Sequence, residues 1–113
     1  MIFYTKLAGV TFSNENGNTE NRQSIIRQLH RRGLLDDGTE LSLRPEPNNP
    51  YDDHAVAVFA KDGRQLGYLP QRISYQVFED MTKGKKYRAF VGCVTGGEAG
   101  NAYGINIRIE YGV

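Results

Sequence analysis

The 113 residues are enough for one domain with a single core, and 39% hydrophobic with 24% charged residues excludes a disordered chain. No apolar run approaches the ~20 residues needed to cross a bilayer. The start, MIFYTKLAGV, has no secretory hydrophobic region, and the single cysteine, Cys93, excludes an internal disulfide, so a cytoplasmic domain without membrane contact is expected. The net charge of +1 gives no bulk attraction for a polyanion. Charge is uneven, however. Residues 21–35 carry Arg22, Arg27, Arg31 and Arg32 without an acid, and residues 83–95 carry Lys83, Lys85, Lys86 and Arg88 without one. Residues 36–53 hold Asp36, Asp37, Glu40, Glu46, Asp52 and Asp53 against Arg44 alone. That asymmetry is enough for a bipolar surface, or simply for a solvated helix and strand.

The elements follow in chain order. Residues 2–12 read as a first strand, kinked near Gly9, and 13–18 as a loop. A helix is expected over 21–32, with Ile25, Ile26 and Leu29 as its apolar stripe. Its arginines fall largely off that stripe, and Gly33 is placed for a left-handed cap. Asp36–Gly38 is a turn, and 40–44 alternates as a strand. Pro45, Pro47 and Pro50 argue against a regular ladder until Tyr51. Residues 54–61 form a dense apolar strand, Asp62-Gly63 a two-residue hairpin turn, and 64–69 the returning strand. Pro70 opens a second helix to about Lys83, with Ile73, Val77 and Met81 on one face and Gly84 at its end. Strands over 86–95 and 103–111 complete the set, with Cys93 alternating with Val91 as a small core residue. Six strands and two helices in this order predict a single, mainly β (α+β) domain over 1–113, its antiparallel sheet curling toward a small barrel.

Catalytic templates are absent. There is no nucleophile elbow, no phosphate-binding GxxxxGK[ST], no GxGxxG, and no zinc set with one cysteine and two distant histidines. Glu46, Asp52, Asp53 and His54 are the one cluster with oxygen ligands for a divalent metal. Asp and Asn between prolines equally serve as turn residues. We therefore expect a binding module without metal or cofactor. The notable stretch is RPEPNNPYDDHAVAV, residues 44–58. Pro47 and Pro50 hold the residues before them extended, so a stiff loop projects Asn48, Asn49, Tyr51 and Asp52 at the mouth of the next strand.

The run EPNNPYDDHAVAVFAKDGRQLGYLP, residues 46–70, closely resembles the signature of the HIRAN domain family. That signature is an acidic-Pro-x-Asn-Pro-Tyr-Asp loop, an Ala-Val-x-Val strand, a turn, and Gly-Tyr-Leu-Pro before a helix. LAGVTF (7–12), the 22–35 helix of the stand-alone bacterial type and the 41–43 strand extend the resemblance over nearly the whole chain. It implies an OB-like barrel that binds DNA. Members fused to remodelling helicases capture 3′ ends of single strands, so a helicase or nuclease partner is expected here. By the same resemblance Tyr51 and Asp52 contact the terminal nucleotide. Phe12 and Tyr103 supply further aromatics, and Tyr68 borders the site. Basic family positions are Thr11 and Gln71 here, which leaves Arg72, Arg44, Arg27 and Arg31 as phosphate contacts. An aromatic grips any base by stacking. A carboxylate beside DNA fits only a donor such as a free 3′ hydroxyl. Structural alternatives stand beside these roles: Tyr51 packing on the barrel end, Asp52 capping the Asp53–Ala55 amides, Phe12 in the core. The rival functions are a protein-interaction adaptor and a metal-dependent nuclease.

Overall fold

The computed structural model describes residues 2–13 and 21–111. In chain order these form β1 (Ile2–Lys6), α1 (Arg22–Arg31), β2 (Glu40–Glu46), β3 (Ala55–Phe59), β4 (Gln65–Tyr68), α2 (Gln71–Thr82), β5 (Tyr87–Thr95) and β6 (Gly104–Tyr111). All pairings are antiparallel, in the order β1-β6-β5-β2-β3-β4. The mainly β class with two helices is as expected. The sheet curls far enough for its two ends to meet. Just past β1, Ala8 exchanges backbone hydrogen bonds with Tyr68 of β4, at 2.8 and 2.9 Å. Only glycine fits opposite this seam, because a Cβ on Gly67 would lie 2.5 Å from the Ala8 carbonyl oxygen.

Val56, Val58, Leu66, Val91, Ile105, Ile107 and Ile109 fill the interior. Ile25, Ile26 and Leu29 of α1 join them as the helical period predicts. Asn21 caps α1 by accepting from the Ser24 amide. Gly33, at φ +71°, ends it with the paired Gly33→His30 and Leu34→Leu29 backbone bonds of a left-handed terminus. On α2 the buried face is centred on Ser74, Val77 and Phe78, while Ile73 and Met81 pack at its margins.

Several expectations change. β1 stops at Lys6; residues 10–12 form a turn, and Phe12 is 67% exposed rather than core. The loop expected over 13–18 lies, apart from Ser13, outside the described residues. β2 continues through Pro45, which pairs with Val56. Proline is tolerated there because the Val56 carbonyl accepts from Leu69 on the other side, toward β4. β2 meets β5 only at Glu40 and Leu41, so no partner strand asks Pro45 for a donor. The β3–β4 connection closes on Ala60 and Arg64 around three residues, Lys61–Gly63, rather than two. Gly63 takes the left-handed position, and Asp62 Oδ1 accepts from the Arg64 amide. A bulge at Gly92 shifts the β5–β6 register between Val91 and Cys93, so Cys93 faces outward instead of into the core.

Candidate nucleic-acid interface

The site is built on the outer face of β2, β3 and β4. β3 is buried on both faces, as its unbroken apolar run suggests. Val56 and Val58 point into the barrel core, and the alternate residues Ala55 and Phe59 line an open groove of about 1240 Å³ on the other side. Directly opposed residues share a face, so Arg44, Ala57 and Tyr68 form one cross-strand row along this floor. The Arg44 guanidinium lies 4.1 Å from the centre of the Phe59 ring.

One wall is the loop after β2. Asn49 organises it: Oδ1 accepts from the amides of Tyr51 (2.9 Å) and Asp52 (3.2 Å), while Nδ2 donates to Glu46 Oε1 (3.0 Å). The Tyr68 hydroxyl donates to the same Glu46 oxygen at 2.8 Å and ties the loop to the floor. Burial pushes the Tyr68 phenol up from its ordinary value, and the Glu46 carboxylate adds to that. The Asn49 amide is thus spent within the protein, presenting Tyr51 and Asp52 rather than pointing outward itself. The Tyr51 ring is 85% exposed. Asp52 is half-buried; its Oδ1 accepts from the His54 amide at 2.9 Å, and among the described residues Oδ2 has no partner. The capping alternative is therefore real, and it engages one oxygen only.

Opposite this loop stand Gly9, Phe12 and Arg22. Arg22, counted in the basic stretch 21–35 but not singled out there as a contact, is 5% exposed, lines the groove and lies 5.2 Å over the Tyr68 ring. The signal was present, since Arg22 precedes Ile25, Ile26 and Leu29 by three, four and seven residues and shares their helix face. Glu46 and Gln71 also line the groove; neither was singled out as a contact.

The sequence candidates divide between two places. Phe12, Arg44, Asn49, Tyr51, Asp52 and Tyr68 share the groove. Arg27, Arg31 and Tyr103 line a separate hollow of about 500 Å³ beside α1 and the 97–102 loop. Tyr103 meets His30 edge-on at 6.3 Å. Arg72 lines neither; its Nη2 donates to Thr5 Oγ1 at 3.2 Å. Of the acidic cluster, Asp52, Asp53 and His54 bring ligand atoms within 4.8 Å of one another, but Glu46 is turned to Tyr68 and Asn49. His54 Nδ1 is 2.7 Å from Asp53 Oδ1, and its ring stacks on Tyr75 at 4.4 Å. The hydrogen bond to Asp53 holds the His54 pKa above its ordinary value. Among the described residues no helix is long and apolar enough to cross a membrane.

Two solved structures share this architecture. The HIRAN domain of human HLTF superposes with a TM-score of 0.68 at 17% identity, over 97% of this chain and 74% of that one. A protein from Lactobacillus plantarum superposes with a TM-score of 0.65 at 20% identity, over 95% of this chain and 91% of that one. In sequence, the chain is similar to the helicase-like transcription factors of Oryctolagus cuniculus (32% identical over 53 residues) and Mus musculus (30% over 56 residues). These matches cover 47% and 50% of this chain but only 5% and 6% of those proteins. The HIRAN domain profile matches residues 3–111, and this chain belongs to the HIRAN domain family.

Proposed function

We propose that this chain is a single domain that binds single-stranded DNA in the groove, at ends carrying a free 3′ hydroxyl, in replication or repair. It acts by binding rather than by catalysis. It works in the cytoplasm, beside a helicase or nuclease partner that supplies the chemistry. One observation carries the reading: the rings of Phe12, Tyr51 and Tyr68 line one groove together with Arg22, Arg44 and the half-buried Asp52. Aromatic faces stack on bases irrespective of sequence, and arginines neutralise phosphates. A carboxylate among them repels phosphate, so it favours a terminus with a hydroxyl donor.

Two observations favour other readings. On β1, Ile2 and Tyr4 are exposed, the kind of apolar edge a protein partner covers, as an adaptor requires. The convergence of Asp52, Asp53 and His54 is what a metal-dependent nuclease requires. Fluorescence anisotropy separates all three. We expect saturable binding to a 3′-hydroxyl oligonucleotide, weaker binding to its 3′-phosphate counterpart, and weakening with salt as counterions are released. No oligonucleotide binding at any salt refutes the DNA reading in favour of the adaptor. Probe shortening only on addition of magnesium or manganese establishes the nuclease.

A further inference from the structure

We propose that Arg22 is the phosphate-gripping residue of this groove, holding an internucleotide phosphate next to the terminal nucleotide; the assignment rests on the DNA-binding reading above. Arg22 opens α1 and is the single arginine of that helix turned toward the sheet. Its guanidinium lines the groove wall and is fixed in place there. Nη1 donates to the Gly9 carbonyl at 2.8 Å, and the guanidinium lies 5.2 Å over the Tyr68 ring. A methyl group on Gly9 would meet Arg22 Nη1 at 3.2 Å and the rings of Phe12 and Tyr68 at 3.6 Å each, so the cation and both rings converge on one point. Stacking surfaces flanking a rigid cation match a nucleotide, whose base and phosphate are neighbours. The guanidinium carries five donors in a planar fork, a shape suited to phosphate oxygens.

The side chain is also held in place. Its neighbour Gln23 clamps the first turn of α1: Nε2 donates to the carbonyls of Val10 (2.9 Å) and Tyr103 (3.0 Å), and Oε1 accepts from the Tyr103 amide (2.7 Å). The Arg22 amide donates to the Phe12 carbonyl at 3.3 Å, which ties the aromatic turn to the same helix start. Cation, ring and turn are therefore fixed to one another without a ligand, and binding does not have to order them.

The test pairs protein and ligand changes. Short 5′-labelled thymidine oligonucleotides ending in a 3′ hydroxyl carry a neutral methylphosphonate at one linkage at a time near that end. Each is titrated against wild type, Arg22→Met and Arg22→Lys, with thermal melts of all three proteins. In wild type we expect one linkage at which neutralisation weakens binding roughly ten- to hundredfold. Arg22→Met should weaken the unmodified strand by a similar factor, and neutralising that same linkage should then cost less than about twofold. Arg22→Lys keeps the charge without the fork and should retain an intermediate penalty at that linkage. If every linkage costs Arg22→Met as much as it costs wild type, Arg22 touches no phosphate and the proposal is overturned. If Arg22→Met does not fold, Arg22→Lys decides: an unreduced penalty overturns the assignment. If wild type binds no oligonucleotide, the DNA reading itself has failed, and this assignment falls with it.

Discussion

Replacing Asp52 with Asn changes charge at nearly constant size, which makes it the sharpest probe of the loop. The amide keeps an acceptor oxygen for the His54 backbone N–H, now held at 2.9 Å by Asp52 Oδ1. The loop also keeps the two bonds from the amides of residues 51 and 52 to Asn49 Oδ1. Folding should therefore change little. Binding should change in opposite directions for the two kinds of end. A hydrogen bond to a charged group contributes about 1.5–3 kcal/mol and one to a neutral group about 1, so a 3′-hydroxyl strand should lose roughly 0.5–2 kcal/mol. Two like charges about 4 Å apart repel by about 1 kcal/mol even in a water-like dielectric, so a 3′-phosphate strand should gain at least about that much. Together the preference for the hydroxyl end should shrink by about tenfold or more. Anisotropy titrations of wild type and Asp52→Asn, on strands identical except at the 3′ terminus, measure that ratio directly. If Asp52 serves only as a cap, the ratio stays unchanged. An unchanged ratio refutes end-reading by Asp52, whatever happens to affinity.

Other perturbations test neighbouring parts of the reasoning. Tyr51→Ala should cost on the order of 1–3 kcal/mol of strand binding, one base–aromatic stack, with the melting temperature nearly intact because the ring is exposed; a large drop in melting temperature would mark the ring as packing. The double substitution of Arg27 and Arg31 by Ala should weaken binding to all sequences alike and flatten the salt dependence, read from anisotropy at several ionic strengths. Gly67→Ala forces a methyl against the Ala8 carbonyl oxygen at the barrel seam and should cost about 1–3 kcal/mol of stability, measured by denaturant unfolding. The His54 pKa is raised in the folded state, chiefly by its hydrogen bond to Asp53. Its contribution to stability is then full below the ordinary value of 6.5 and fades as pH rises through the higher folded value. The melting-temperature gap between wild type and His54→Gln should accordingly narrow as pH is raised; a gap that widens would reverse the sign of the argument.

The parts of this fold legible in the sequence are those set by local chemistry. Gly33 and Gly84 mark the helix ends because only a left-handed residue closes them cheaply, and both have positive φ. The 46–52 loop is legible because its prolines and Asn49 dictate backbone geometry within a few residues. What was not legible depends on pairing between distant segments. Pro45 sits inside β2 because of which neighbour Val56 bonds to. Cys93 turns outward because of one extra residue at a bulge. Phe12 is exposed because the chain leaves β6 after Leu7 to reach β4. The division of the arginines between two hollows follows from which side of α1 each residue faces once Gln23 has docked the helix, and charge counting ignores helical phase.

Tyr68 shows why the groove behaves as one site rather than two. Its hydroxyl is bonded to Glu46, the anchor of the loop that presents Tyr51 and Asp52. Its ring carries Arg22 and packs beside Gly9, where Phe12 also converges. The loop that carries Asp52 and the Arg22 cation are therefore tied together through a single side chain rooted in β4. The Ala8–Tyr68 backbone pair closes the barrel at that same residue. A net charge of +1 means that long-range attraction does little for affinity. Binding has to come from contacts arranged in advance, and rigidity between the two walls is what makes such contacts effective. Under the proposed function, such a groove would hold a strand by shape, stacking and one or two well-placed charges. The barrel seam, which looks like a device for stability, is thereby also what sets the distance between the groove's two walls.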